Sequence, residues 1–294
     1  MGSLNAPLKK EVRPHSEAYL QTLQALSRQH DLSCLGASVH WRVWGQGPRV
    51  LLVHGGHGSW VHWVKNIEAL AANFEVVVPD LPGFGDSGPV PVARSGTPAL
   101  DHMADCLVDG LGQLPGNGPT CHVAAFSFGA LLATRLACRL PGLQTLTLLG
   151  PAGHGSPRRQ ATPLLKWKTL PASSQLEALR QNMVPFMLHK PESVDELAFE
   201  CYAAACRATR FRSRGMSLSH DIGSALAKTP CAVRLLWGEA DVTATPYEAV
   251  QRLSSLHPDC QWSIISNAGH WVQYEQYEVV NALLSSWWSA PANR

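Results

Sequence analysis

The chain has no run of about 18 consecutive apolar residues, so no segment reads as a membrane-spanning helix. Its first residues, Met1-Gly2-Ser3-Leu4-Asn5-Ala6-Pro7, contain no apolar leader, and the expectation is a cytoplasmic protein with no membrane partner. An excess of one charge is also missing: 24 Lys and Arg balance 22 Asp and Glu, for a formal net charge of +2. A nucleic-acid partner would need a basic footprint, and none is expected here. There is no internal repeat and no low-complexity tract. None of the 8 cysteines (Cys34, Cys106, Cys121, Cys138, Cys201, Cys206, Cys231 and Cys260) forms a C-x-x-C pair. That spacing argues against zinc, and a chain of this size needs no disulfide staples. Reduced, mostly core thiols are expected.

What is present is a chain of 294 residues with 45% hydrophobic content, 24 glycines and 21 prolines. That length buries a large core, as one α/β domain or as a core with a small second domain. The glycines and prolines suit many short loops.

Leu20, Leu23 and Leu26 recur at helical spacing within residues 15–29, which predicts an amphipathic helix packed on the core or on a second subunit. Residues 1–35 read as a helical extension. From Ser38 to Trp44 the pattern alternates, Gly45-Gln46-Gly47-Pro48 turns, and Val50-Leu51-Leu52-Val53 follows, as in a hairpin leading into a buried strand. Further strands are expected at 74–78, 120–126, 144–149, 232–237 and 261–265. Helices are expected at 65–72, 99–114, 129–139, 246–256 and 274–288. Alternating strand and helix implies an α/β fold with a mostly parallel, twisted sheet flanked by helices. The alternation lapses over residues 151–228, where Pro157, Pro163, Pro171, Pro185 and Pro191 cut helical patches into short pieces. This reads as an inserted helical cap between core segments 36–150 and 229–294.

Within that frame, Ala125-Phe126-Ser127-Phe128-Gly129 places one serine between an apolar strand and a helix. A sharp strand-to-helix turn lifts the hydroxyl above the sheet edge and aims a helix N-terminus at it, with small residues on either side to avoid collision. Ser127 is then a nucleophile or, alternatively, a helix cap. The loop His54-Gly55-Gly56-His57-Gly58-Ser59 has three glycines that permit close backbone approach. One of its amides can pair with the Phe128 amide to hold an oxyanion; a tight turn is the alternative, and no Gly-Lys-Ser/Thr follows to make it a phosphate loop. Asp241 and His270 each follow a predicted strand, on the sheet edge that carries Ser127. Ser, Asp, His is the chain order in which this architecture assembles a nucleophile, its orienting acid and its base.

With Asp80-Leu81-Pro82-Gly83-Phe84-Gly85-Asp86-Ser87-Gly88, Trp237-Gly238-Glu239-Ala240-Asp241 and Gly269-His270-Trp271, the chain resembles the cap-bearing α/β-hydrolases over most of residues 36–288. The resemblance implies Ser127 as nucleophile, His270 as general base and Asp241 as the group that orients it. It also implies Gly56 and Phe128 as the oxyanion-hole amides. Dehalogenases and epoxide hydrolases of this scaffold use an Asp at the elbow, and Ser127 argues against both. The stretch from Gly269 to Glu275 resembles carbon–carbon hydrolases of aromatic ring-fission products, in which an Asn precedes the nucleophile and a cap Arg helps bind the dienol. Phe126 stands at the Asn position, which favours a carboxylic ester or lactone over a C–C bond.

Glu239 rivals Asp241 as the acid, and the resemblance favours Asp241. Three histidines, His54, His57 and His62, lie in or near the glycine loop without a local carboxylate or thiolate; no metal is expected, and His57 is expected to face substrate. Residues 151–228 carry eleven Lys/Arg against six Asp/Glu. Arg207, Arg210, Arg212 and Arg214 cluster there, as a solvated face or with one Arg, represented by Arg207, reaching a substrate carboxylate. Trp271, beside His270, and Phe126 are the aromatic candidates for a pocket wall; Trp60, Trp63 and Trp167 are weaker ones. The expectation is a serine esterase needing no cofactor, with a small ester-like substrate, as monomer or homodimer. A C–C hydrolase and a receptor-like binding protein with slow turnover are the alternatives.

Overall fold

The apolar runs lie at the centre of an eight-stranded sheet in a computed structural model, which describes residues 13–90, 99–116, 122–218 and 222–289. The chain opens with α1 (Arg13–Ala25), β1 (Arg28–Cys34), β2 (Ala37–Trp44) and β3 (Arg49–Val53). It continues through α2 (Ile67–Ala71), β4 (Glu75–Pro79), α3 (Ala99–Gln113), β5 (His122–Phe126), α4 (Phe128–Ala137) and β6 (Thr145–Leu149). After β6 come α5 (Ala172–Met183), α6 (Glu196–Ala208), α7 (Arg214–Ser217) and α8 (Ile222–Leu226). Then β7 (Ala232–Gly238), α9 (Pro246–Ser254), β8 (Gln261–Ile265), α10 (Val272–Glu275) and α11 (Tyr277–Ser289) complete it. The sheet order is β1-β2-β4-β3-β5-β6-β7-β8. The pairs β1–β2 and β2–β4 are antiparallel, and all later pairs are parallel. Every residue of β3, β5 and β6 is buried, because helices cover both faces of a parallel sheet. Two apolar clusters fill the two sides.

The N-terminal stretch is not helical throughout. Residues 28–34 pair with β2 in full register, from Arg28 opposite Val43 to Cys34 opposite Ala37. This edge strand reads Arg-Gln-His-Asp-Leu-Ser-Cys and is largely exposed, so it shows no apolar alternation. Leu35 and Gly36 turn it, both with positive φ (48° and 89°), as a two-residue hairpin requires. Of the three leucines at helical spacing, Leu23 is buried, Leu20 is half-buried, and Leu26 falls beyond α1 and is exposed. The helix packs on α6.

The expected hairpin of β2 with β3 is also corrected. β4 lies between them, with Trp41 opposite Pro79 and Trp44 opposite Val76. The connecting turn therefore crosses the entry to β4. A Cβ on Gly45 would stand 2.3 Å from the Ala71 carbonyl oxygen, so the crossing needs glycine there. The final helix is broken into α10 and α11.

Between β6 and β7 the described residues form helices and short 3-10 turns without a strand. Asp195 caps α6 by accepting the Ala198 amide at 2.7 Å. The last helix of this stretch, α8, packs on α4, and its Ile222 and Leu226 join the sheet's own apolar cluster. The 7 described cysteines are free and 5 are buried; Cys121 and residues 1–12 lie outside the described residues. Among the described residues no helix is long and apolar enough to cross a membrane.

Candidate active site

Ser127 sits alone between the end of β5 and the start of α4, with φ 52° and ψ −116°. A side chain in that region is strained by about 1–3 kcal/mol. Three backbone bonds hold it: the Ser127 amide donates to Leu149 at 2.9 Å, and its carbonyl accepts from Ala130 and Ala152, both at 3.0 Å. A Cβ on Gly129 would stand 2.3 Å from the His54 carbonyl oxygen, so only glycine fits the turn. The serine occupies the cap position of α4 but its side chain makes no capping bond. Its hydroxyl is committed elsewhere, which argues against the helix-cap reading.

The hydroxyl lies 2.9 Å from His270 Nε2, and His270 Nδ1 lies 2.8 Å from Asp241 Oδ2. β7 ends just before the Asp241 loop and β8 just before the His270 loop, so the order of parallel strands brings both loops to Ser127. The other carboxylate oxygen of Asp241 accepts the amide and hydroxyl of Thr243, at 2.7 and 2.8 Å. Burial pushes this carboxyl up, but His270 and the Thr243 bonds outweigh it and hold the pKa below the usual value. An ionised Asp241 takes the Nδ1 proton of His270 as its hydrogen bond, leaving the Nε2 lone pair toward the serine hydroxyl. Glu239 is exposed and makes no bond to His270.

His54 secures the glycine loop: its Nδ1 bonds the Gly55 carbonyl at 2.8 Å and its Nε2 accepts the Leu81 amide at 2.9 Å. His62 Nδ1 accepts the Gly55 amide at 3.2 Å. Burial lowers the pKa of His54 and takes His62 well down, the latter reinforced by the charges of His54, His270 and His57. Among the described residues the amides of Gly56 and Phe128 have no protein partner. They are neighbours, since a Cβ on Gly56 would lie 3.5 Å from the Phe128 Cβ. Two free amides beside a serine hydroxyl can accept a developing oxyanion.

Several expected wall residues take other places. Trp271 is fully buried, donates its indole N–H to the His62 carbonyl at 2.9 Å and packs on Tyr274, so it anchors the loop from beneath. Phe126 is buried too, its ring centroid 4.8 Å from that of His270, and it supports the imidazole from the core side. Arg207, on the last turn of α6, is exposed and makes no bond to this cluster. His57 is exposed next to Gly56, with φ 53°. Partial burial of its ring, then the charges of Lys168 and Arg214, lower its pKa. Sequence patterns did not point to Phe186, 5.7 Å from the His270 ring, or Phe211, 6.0 Å from the Phe128 ring. Phe186 follows Pro185 and Phe211 lies in the short link between α6 and α7, so no local periodicity marks either.

The serine–imidazole–carboxylate line lies at the C-terminal edge of a mostly parallel sheet. The alpha/beta hydrolase family pattern matches residues 50–283. The chain belongs to the alpha/beta hydrolase family. The 2-hydroxy-6-oxo-6-phenylhexa-2,4-dienoate hydrolase of Burkholderia cepacia is 27% identical over 260 residues, covering 83% of this chain and 89% of the relative. Among solved structures, naproxen esterase (carboxylesterase NP) of Bacillus subtilis superposes with a TM-score of 0.71 at 21% identity, covering 96% of this chain and 100% of that one. A meta-cleavage product hydrolase from Pseudomonas fluorescens gives a TM-score of 0.64 at 22% identity, covering 87% and 96%. The fold is thus shared with proteins named as an esterase and as a meta-cleavage product hydrolase.

Proposed function

We propose that this chain is a serine hydrolase of carboxylic esters or lactones. Ser127 attacks the carbonyl carbon as His270 takes its proton, and Asp241 stabilises the imidazolium. The oxyanion rests on the amides of Gly56 and Phe128. His270 returns the proton to the leaving alkoxide as the C–O bond breaks, leaving an acyl ester on Ser127. Water then loses a proton to His270, adds to the acyl carbon, and the acid departs as Ser127 is reprotonated. The observation that carries this reading is the continuous line from Ser127 Oγ through His270 to Asp241, at 2.9 and 2.8 Å.

The helical insert serves as the cap in this proposal. Phe186 and Phe211 give the site apolar flanks, and the cations Lys168 and Arg214 lie close enough to His57 to lower its pKa. That combination favours substrates carrying an acidic group. The protein works without a cofactor, in the cytoplasm, as a monomer or homodimer. A second reading is hydrolysis of a C–C bond in ring-fission products, favoured by the Burkholderia relative. Phe126 weighs against it, because it offers no polar group beside the nucleophile.

A turnover screen of esters, lactones and dienol acids, wild type against Ser127→Ala, decides between them. Ester or lactone cleavage lost in the variant is the expected result. Consumption of dienol acids alone would replace it with C–C hydrolysis, and equal turnover by the variant would defeat both.

A further inference from the structure

The acid loop, residues 239–245, is held by a short segment at the start of the helical insert. Asp241 spends its carboxylate on His270 and Thr243, so its direction depends on the path of the loop backbone. That backbone presents a row of carbonyls to one neighbour. Arg159 Nη2 donates to the carbonyls of Glu239 at 2.6 Å and Asp241 at 2.9 Å. Its Nε donates to Ala244 at 3.0 Å. The Arg159 amide donates to Val242 at 2.9 Å. The carbonyl of Thr243 faces His154 Nε2 at 3.1 Å. His154 Nδ1 accepts the Ser156 amide at 3.0 Å, so the ring proton sits on Nε2 and is donated to Thr243. Four consecutive carbonyls, Asp241 to Ala244, and that of Glu239 are thus satisfied from residues 154–159.

A guanidinium that has no carboxylate partner among the described residues and collects three carbonyls fixes the curvature of the loop it collects. The planar fork sets the angles, which a flexible ammonium or a neutral amide does not reproduce in full. Thr243 is the link to the chemistry: its carbonyl is held by His154, while its amide and hydroxyl hold Asp241.

We infer that Arg159, with His154 behind it, is a positioning residue for Asp241. It aligns the acid with His270, and through it the insert sets the readiness of Ser127. This rests on the serine-hydrolase reading above.

The test is a double-mutant cycle on a chromogenic short-chain ester, with Arg159→Gln, Asp241→Asn and the pair. Arg159→Gln should lower kcat about tenfold with KM unchanged, in keeping with misplacement of a group that does not touch substrate. In the Asp241→Asn background the same change should add less than about twofold, because the residue acts through the acid. Arg159→Lys should restore part of the loss. Arg252 bonds the Gly155 carbonyl at 3.1 Å and so holds the same segment without touching the acid loop; Arg252→Gln should keep kcat. A full tenfold loss in the Asp241→Asn background, a change in KM alone, or an equal loss in Arg252→Gln would overturn the inference. If Ser127→Ala keeps its turnover, the hydrolase reading itself fails, which is a distinct result.

Discussion

The imidazole of His270 rests on the ring of Phe126, with centroids 4.8 Å apart and planes tilted by 44°. A second aromatic, Phe186 of the insert, lies 5.7 Å from the same imidazole. The proposed base is therefore held by packing as well as by its carboxylate, and the packing should be measurable. Phe126→Ala should destabilise the fold by about 3 kcal/mol, the usual loss for a large aromatic in a closed core. Urea unfolding reads it, and a midpoint equal to that of the wild type would contradict the packing role.

Asp241 and Glu239 are two residues apart and have opposite fates. Asp241→Asn should reduce kcat by roughly 10³–10⁴, since an amide presents the wrong hydrogen-bonding group to Nδ1. Glu239→Gln should leave kcat within about twofold, because an exposed side chain loses only a surface charge. Steady-state kinetics on one ester separates them, and equal losses would point to Glu239 instead.

Two buried histidines make stability depend on pH. His154, on the acid-loop side, and His122, at the start of β5, are both lowered from 6.5 to about 4, burial being the first cause. In the unfolded chain each takes a proton near pH 6.5, and in the folded protein only near 4. Between these values the unfolded state binds more protons, so stability is full above about pH 6.5 and falls as pH drops toward 4. His122 bonds Thr145 Oγ1 at 2.8 Å, remote from Ser127 along the strand. Its replacement by Gln should flatten part of the decline. Melting temperatures at pH 7 and 4.5 test this, and an unchanged slope in His122→Gln would exclude it as a source.

Lys168 and Arg214 both lie close enough to His57 to lower its pKa, and Arg214 does the same to Arg158. Arg214→Gln should raise KM about fivefold for an ester carrying a carboxylate and leave a neutral ester unchanged, the scale of an exposed charge pair. The comparison needs both substrates. Equal effects on the two would show that the charge does not meet the ligand.

Much of the framework was legible because it depends on local chemistry. Apolar runs such as Val50–Val53 and Val76–Val78 must be buried on both faces, and that demand is visible without knowing the neighbours. Ser127, between a strand and a helix with Ala125 and Gly129 beside it, is legible for the same reason. β1 was not, because an edge strand facing water carries no apolar alternation. A hairpin of β2 and β3 fits the local pattern, and the strand that parts them, β4, arrives only later in the chain.

The site divides along the same line. The order of Ser127, Asp241 and His270 and their places after strands are properties of the sequence. That they meet, and at what angle, follows from a sheet order that places β5, β6, β7 and β8 side by side. Trp271 and Phe126 read as wall residues but lie beneath the imidazole and the glycine loop, since burial depends on which element packs above. Arg159 reads as one more charge in a basic stretch. Only the tertiary structure brings it to the carbonyls of a loop some eighty residues further on, because a hydrogen bond is set by distance in space and leaves no periodic trace along the chain.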